Sequence, residues 1–101
     1  MNKTLIALSV ACLGLTLSSH SFAATSTLET VKARGQLICG VNTAAPGFAS
    51  VDSKGNWTGL DVDVCRAVAA ATLGDASKVK FVPLSSPQRF TALQAGEIDV
   101  L

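Results

Sequence analysis

Apolar and polar residues follow three patterns along this chain, and each predicts a different kind of segment. Thr4 to Leu17 is an apolar run interrupted only by small or hydroxyl residues, with Lys3 before it and the small, polar stretch Ser18 to Ala24 after it. That order is the layout of a secretion signal. Ser21 and Ala23 stand three residues and one residue before the expected cut, so residues 1–23 are predicted to leave and residues 24–101 to form the mature chain. The run is shorter than the roughly 20 residues that a bilayer-spanning helix needs, and no basic stop-transfer cluster follows it.

Beyond the signal the pattern shifts to short elements. Ser26 or Thr27 is predicted to cap a helix from Leu28 to Ala33, with Leu28 and Val31 buried and Arg34-Gly35 as its stop. Gln36 to Val41 is a compact apolar run without alternation, as expected for a strand buried on both faces of a parallel sheet. Phe48-Ala49-Ser50-Val51 and Asn56-Trp57-Thr58 are predicted to pair as a small hairpin around Asp52-Ser53-Lys54-Gly55. Asp61 is expected to cap a helix running to Leu73, its carboxylate accepting the free N–H groups of the first turn. Val62, Cys65, Ala69 and Leu73 form one stripe of that helix, with Val64, Val68 and Ala71 beside it, which predicts a well-covered helix.

Lys78 to Leu84 alternates charged and apolar residues at its start, as a less central strand does. Ser85-Ser86-Pro87-Gln88 then reads as a helix start with Pro at the first helical position. That helix is expected over Gln88 to Ala95, with Phe90, Leu93 and Ala92 inward and Gly96 as its end. A last strand is expected from Glu97 or Ile98. The fold class is therefore α/β, β-α-β-α-β with a mostly parallel sheet and a small hairpin. The expected spatial strand order is 2-1-3, which opens a crevice at the carboxyl ends of the first and third strands. Ile98 to Leu101 reads as the beginning of a buried strand. The chain stops there, which predicts an incomplete domain: the front of a longer protein or the remnant of an interrupted gene.

Charge and chemistry narrow the function. Without Lys3, seven basic side chains face seven acidic ones, with no run or stripe of either sign, so nucleic acid is not an expected partner. His20, the single histidine, is predicted to leave with the signal, which removes a Ser-His-Asp triad and a His-ligated metal site. Cys12 lacks the lipoprotein pattern, because Ser9 stands where Leu is needed and the apolar run continues past it. Asp61 and Asp63 are paired carboxylates, but residues two apart at a helix start point to different sides, which favours capping and solvation over acid/base work. No catalytic set, metal or cofactor is expected.

Several stretches together carry a resemblance. These are Gly35 to Val41, Asn56-Trp57-Thr58-Gly59-Leu60-Asp61-Val62-Asp63-Val64-Cys65-Arg66, Val79 to Leu84, and Arg89 to Leu101. In this order behind a signal peptide, they resemble the first lobe of a family 3 bacterial solute-binding protein, closest to the general L-amino-acid receptors of ABC transporters. The resemblance implies a periplasmic-binding-protein-like (type II) fold whose two lobes close on one L-amino acid. It also implies a location in the periplasm, an ABC permease in the inner membrane as partner, and a monomer. By position, Asn42 is expected to hydrogen-bond the ligand and Phe48 to pack against its side chain, with Ser85 a further candidate contact. The alternatives are a turn-forming Asn, a core aromatic and a helix cap. An arginine that clamps the ligand carboxylate in such receptors belongs beyond Leu101, as do the hinge and second lobe.

Cys39 and Cys65 are the two mature cysteines, one on the first strand and one on the inward stripe of the helix packed over it. An oxidising compartment favours a bridge between them, worth about 3 kcal/mol in the chain-entropy picture; two buried thiols are the alternative. The runner-up function is a periplasmic enzyme on the same scaffold, a cyclohexadienyl dehydratase.

Overall fold

The buried run Leu37–Val41 (β1) forms the centre of the molecule. The computed structural model describes residues 24–101; the signal segment, its expected cleavage site, Cys12 and His20 lie outside the described residues. β1 pairs in parallel with Val79–Pro83 (β4), from Leu37 opposite Val79 to Val41 opposite Pro83. On its other side β1 meets Val100 through a single parallel bridge at Cys39. The 2-1-3 order is therefore present, but the third strand is shorter than expected. It is one bridge at Val100, not a strand from Glu97 or Ile98. Beside the bridge, Asp99 pairs with Ile38 through both main chain and side chain, its N–H donating to the Ile38 carbonyl at 2.8 Å. The Asp99 carboxylate accepts the Ile38 N–H at 2.7 Å, where a neighbouring strand would offer a carbonyl. The same carboxylate pairs with Arg34 and is nearly buried.

Leu37, Cys39 and Val41 share one face of β1 and are buried beneath Leu60–Leu73 (α2). Val62, Cys65 and Ala69 are the buried residues of α2, with Val68 and Leu73 partly buried beside them. The helix is less covered than its composition suggests. Val64 is exposed to 55% and Ala71 is also exposed, because the sheet beneath is only two strands and a bridge wide. Cys39 and Cys65 form a disulfide between the central strand and its covering helix, with Cα atoms 6.3 Å apart.

Thr27–Arg34 (α1) leads into β1. Ser26 caps it through a full capping box with Glu29, and Gly35 ends it in the left-handed conformation at φ 72°. Val31 is buried as expected, but Leu28 faces solvent, since α1 touches the body of the protein through a narrow strip. Ser50–Val51 (β2) and Trp57–Thr58 (β3) pair antiparallel around the predicted turn. The Asp52 carboxylate accepts the N–H groups of Lys54 and Asn56 and the Asn56 side-chain amide, each at 2.8 Å. Those bonds, the Asn56 side chain foremost, hold its carboxyl below the usual aspartate value. Trp57 lies 5.4 Å from Phe81, ring centre to ring centre, covering the core edge. Arg66 is only partly solvated, since it donates to the Trp57 carbonyl at 2.9 Å.

The start of α2 corrects the sequence reading. Gly59, not Asp61, is the cap residue, and no side chain caps the helix. The first-turn N–H groups find main-chain acceptors instead: Leu60 donates to the Gly47 carbonyl at 3.0 Å and Asp61 to the Phe48 carbonyl at 2.9 Å. The loop after β1 caps α2 with its backbone, which leaves the Asp61 carboxylate unused.

Arg89–Gln94 (α3) is shorter than predicted. Pro87 sits in the preceding turn and not at the first helical position, because the Ser85 carbonyl closes that turn on the N–H groups of Gln88 and Arg89. Only Ala92 of α3 is buried; Phe90 is 57% exposed and Leu93 38%, contrary to the inward places expected for them. With six residues, α3 presents a single small side chain to the sheet, and Ile98 fills the space beside it.

Candidate functional site

The carboxyl ends of β1 and β4 lie side by side, and the loops that leave them are linked. Asn42 follows β1, and its side chain works in two directions. Its carbonyl oxygen accepts the Ala44 N–H at 2.9 Å, and its amide donates to the Ser86 hydroxyl at 3.1 Å. The turn-forming role and a place at the strand end are thus both realised in one residue.

Beside Asn42 is an open hollow of about 360 Å³ lined by Gly40, Asn42, Asp61, Arg89, Phe90 and Leu101. Gly40 leaves room for its neighbours: a Cβ there would stand 2.5 Å from the Ile98 Cδ1 and 3.1 Å from a Leu84 methyl, so those side-chain ends would have to turn aside. The floor is apolar, and the walls carry one acid and one base.

Of the residues predicted from the sequence, Asn42 lines the hollow; Phe48 and Ser85 do not. Phe48 is 47% exposed on the loop, and its main chain donates to the Ala45 carbonyl and accepts the Asp61 N–H. The Ser85 hydroxyl donates to the Gln88 side chain at 2.6 Å and serves the turn. Two lining residues were read differently from the sequence. Asp61 was expected to cap, and Arg89 was not among the expected contacts. The available signal was positional: both begin a helix at the end of the sheet where the strands release their loops. Asp63, by contrast, points away and pairs with Arg66 at 3.3 Å. Among the described residues no cluster of His, Cys, Asp and Glu is arranged to hold a metal ion, and no helix is long and apolar enough to cross a membrane.

Residues 37–101 match the bacterial extracellular solute-binding proteins, family 3. The chain belongs to that family. This solute-binding protein is 58% identical over 81 residues to the general L-amino acid-binding periplasmic protein AapJ of Rhizobium johnstonii, covering 80% of this chain and 24% of that one. It is 62% identical over 79 residues to the glutamate/glutamine/aspartate/asparagine-binding protein BztA of Rhodobacter capsulatus, covering 78% of this chain and 23% of that one. It therefore spans about a quarter of the length of these relatives. Among solved structures, an ABC transporter periplasmic binding protein from Brucella ovis with glutathione bound superposes with a TM-score of 0.70 at 61% identity. That match covers 73% of this chain and 23% of the other. An ancestral cyclohexadienyl dehydratase superposes with a TM-score of 0.63 at 35% identity, over 78% of this chain and 32% of the other. The fold is the type II periplasmic-binding fold expected from the sequence.

Proposed function

We propose that this protein is the periplasmic substrate-binding component of an amino-acid ABC transporter. Residues 24–101 supply the first part of one lobe, and the hollow beside Asn42 is this lobe's share of the ligand cleft. The observation that carries the reading is that hollow's position: it opens at the carboxyl ends of a parallel sheet in a solute-binding fold, beside a polar side chain anchored at a strand end. The substrates are L-amino acids. The names of the relatives support this, and BztA's four ligands all carry an acceptor oxygen at the end of the side chain.

One lobe offers one wall, so capture requires a second lobe to close on the ligand and displace water. The closed form then docks on the permease in the inner membrane. The Asn42 amide, already oriented by Ala44 and Ser86, presents a donor to the cleft without needing to be ordered by the ligand. The protein acts as a monomer and not as an enzyme. Deleting the gene in its host is expected to lower uptake of labelled L-amino acids at micromolar supply, with recovery when the gene is returned. Unchanged uptake, or a loss of dehydratase activity in periplasmic extracts, would favour the enzyme reading instead.

A further inference from the structure

The Cys39–Cys65 bridge joins the two elements that bring Gly40, Asn42 and Asp61 to the hollow. Cys39 directly precedes Gly40 on β1 and comes just before Asn42, while Cys65 follows Asp61 by one turn of α2. Little else ties these two walls together. The chain leaves β1 at Asn42 and returns at Asp61, and of that excursion only Ala49 is buried. α2 has no side-chain cap; its start is held by the Gly47 and Phe48 carbonyls, which belong to the same exposed loop. The bridge shares one core cluster with Val41, Ala49 and Val62, and its two residues are 0% and 5% exposed. Two thiols take more room than one disulfide, and a close-packed cluster has little to spare. Separating the sulfurs therefore shifts β1 or the first turns of α2.

We propose that this bridge is a redox-sensitive clamp on the ligand cleft. Oxidised, it holds the β1 and α2 walls at binding separation; reduced, it lets them part and weakens the hold on the ligand while the lobe stays folded. The proposal rests on the amino-acid receptor reading and deepens it. The reductant is a small dithiol. It passes two electrons and two protons to the bridge, the S–S bond breaks to leave the Cys39 and Cys65 thiols, and the dithiol closes into a cyclic disulfide. Both sulfurs are buried, so an attacking thiolate reaches them only when strand and helix open. A ligand that holds the walls together protects the bridge in return, since coupling between two sites is reciprocal.

The test is calorimetric titration of the full-length protein with L-glutamate, or with the first other common L-amino acid that gives heat. It is run before and after dithiothreitol, with circular dichroism recording the fold. Reduction is expected to weaken binding about 10-fold with the spectrum unchanged, and reoxidation to restore it. C39A/C65A is expected to bind as weakly as the reduced protein and to be indifferent to dithiothreitol. Saturating ligand is expected to lower the bridge's reduction potential by about 30 mV, the same tenfold seen from the other site. Equal affinity in the oxidised and reduced states overturns the proposal and leaves the receptor reading in place. Binding and spectrum lost together also overturn it, because the bridge then only holds the fold. An oxidised protein that binds no L-amino acid overturns both.

Discussion

Gly59→Ala is expected to destabilise the folded protein by at least about 3 kcal/mol. Gly59 sits at φ 127° and ψ 169°, a region that is essentially closed to residues with a Cβ and costs about 1–3 kcal/mol to occupy. A Cβ there would also overlap the Phe48 carbonyl and stand 2.9 Å from the Ala49 nitrogen. Both neighbours are backbone and cannot swing away. To relieve the overlap, α2 must part from the loop after β1, and the Leu60 and Asp61 N–H groups lose the carbonyls that cap them. Gly55→Ala provides the comparison. Gly55 also has a positive φ, 84°, but its Cβ would meet nothing within 4 Å, so that change should cost only about 1 kcal/mol. Urea unfolding of both variants separates the close approach from the backbone angle. Equal small losses would mean that the loop and helix are not locked together as described.

The second large effect is expected at the disulfide. Cys39 and Cys65 are 26 residues apart in sequence, and closing a loop of that length stabilises by about 3 kcal/mol in the chain-entropy picture. C39A/C65A should lower the unfolding free energy by that amount or somewhat more, since both sulfurs are buried in the main core with Val41, Ala49 and Val62. Adding a reductant should bring wild type down by about 3 kcal/mol and leave the double variant unchanged. A wild type whose urea midpoint is indifferent to reductant would show that the bridge contributes nothing to this fold.

The sequence made most of the framework readable because the framework is local chemistry. The apolar Gln36–Val41 run, the Asp52–Gly55 turn, a helix cap at Ser26 or Thr27 and the Val62/Cys65/Ala69 side of the long helix each follow from side chains close in sequence, and the structure has a strand over Leu37–Val41, the turn, a cap at Ser26 and that buried stripe. The misreadings arise where distant backbone takes over a side chain's role. Asp61 was expected to cap because Asp usually does. The carbonyls of Gly47 and Phe48 cap instead, brought there by a Gly59 that permits the approach. Phe90 and Leu93 look like core residues by type, yet a six-residue helix resting on Ala92 has no room to bury them. Leu28 is exposed for a similar reason, at the rim of a small sheet.

The site was legible in part. Asn42 could be placed because it follows a buried strand, and strand ends of a parallel sheet face the cleft. Asp61 was not read as a lining residue because its place at a helix start suggested a cap, and Arg89 was not among the expected contacts. The loop after β1 holds the start of α2 through the Gly47 and Phe48 carbonyls and reaches the turn before α3 through Asn42 and Ser86, and the two residues meet at that hollow. Asp99 offers the same lesson in the frame: nothing in its local sequence announces that its carboxylate stands in for a strand carbonyl beside Ile38.

Calorimetric titration of the full-length protein against a panel of L-amino acids tests the central claim most directly. The account predicts saturable one-to-one binding of at least one L-amino acid at micromolar or tighter affinity. The absence of heat with every L-amino acid would contradict it.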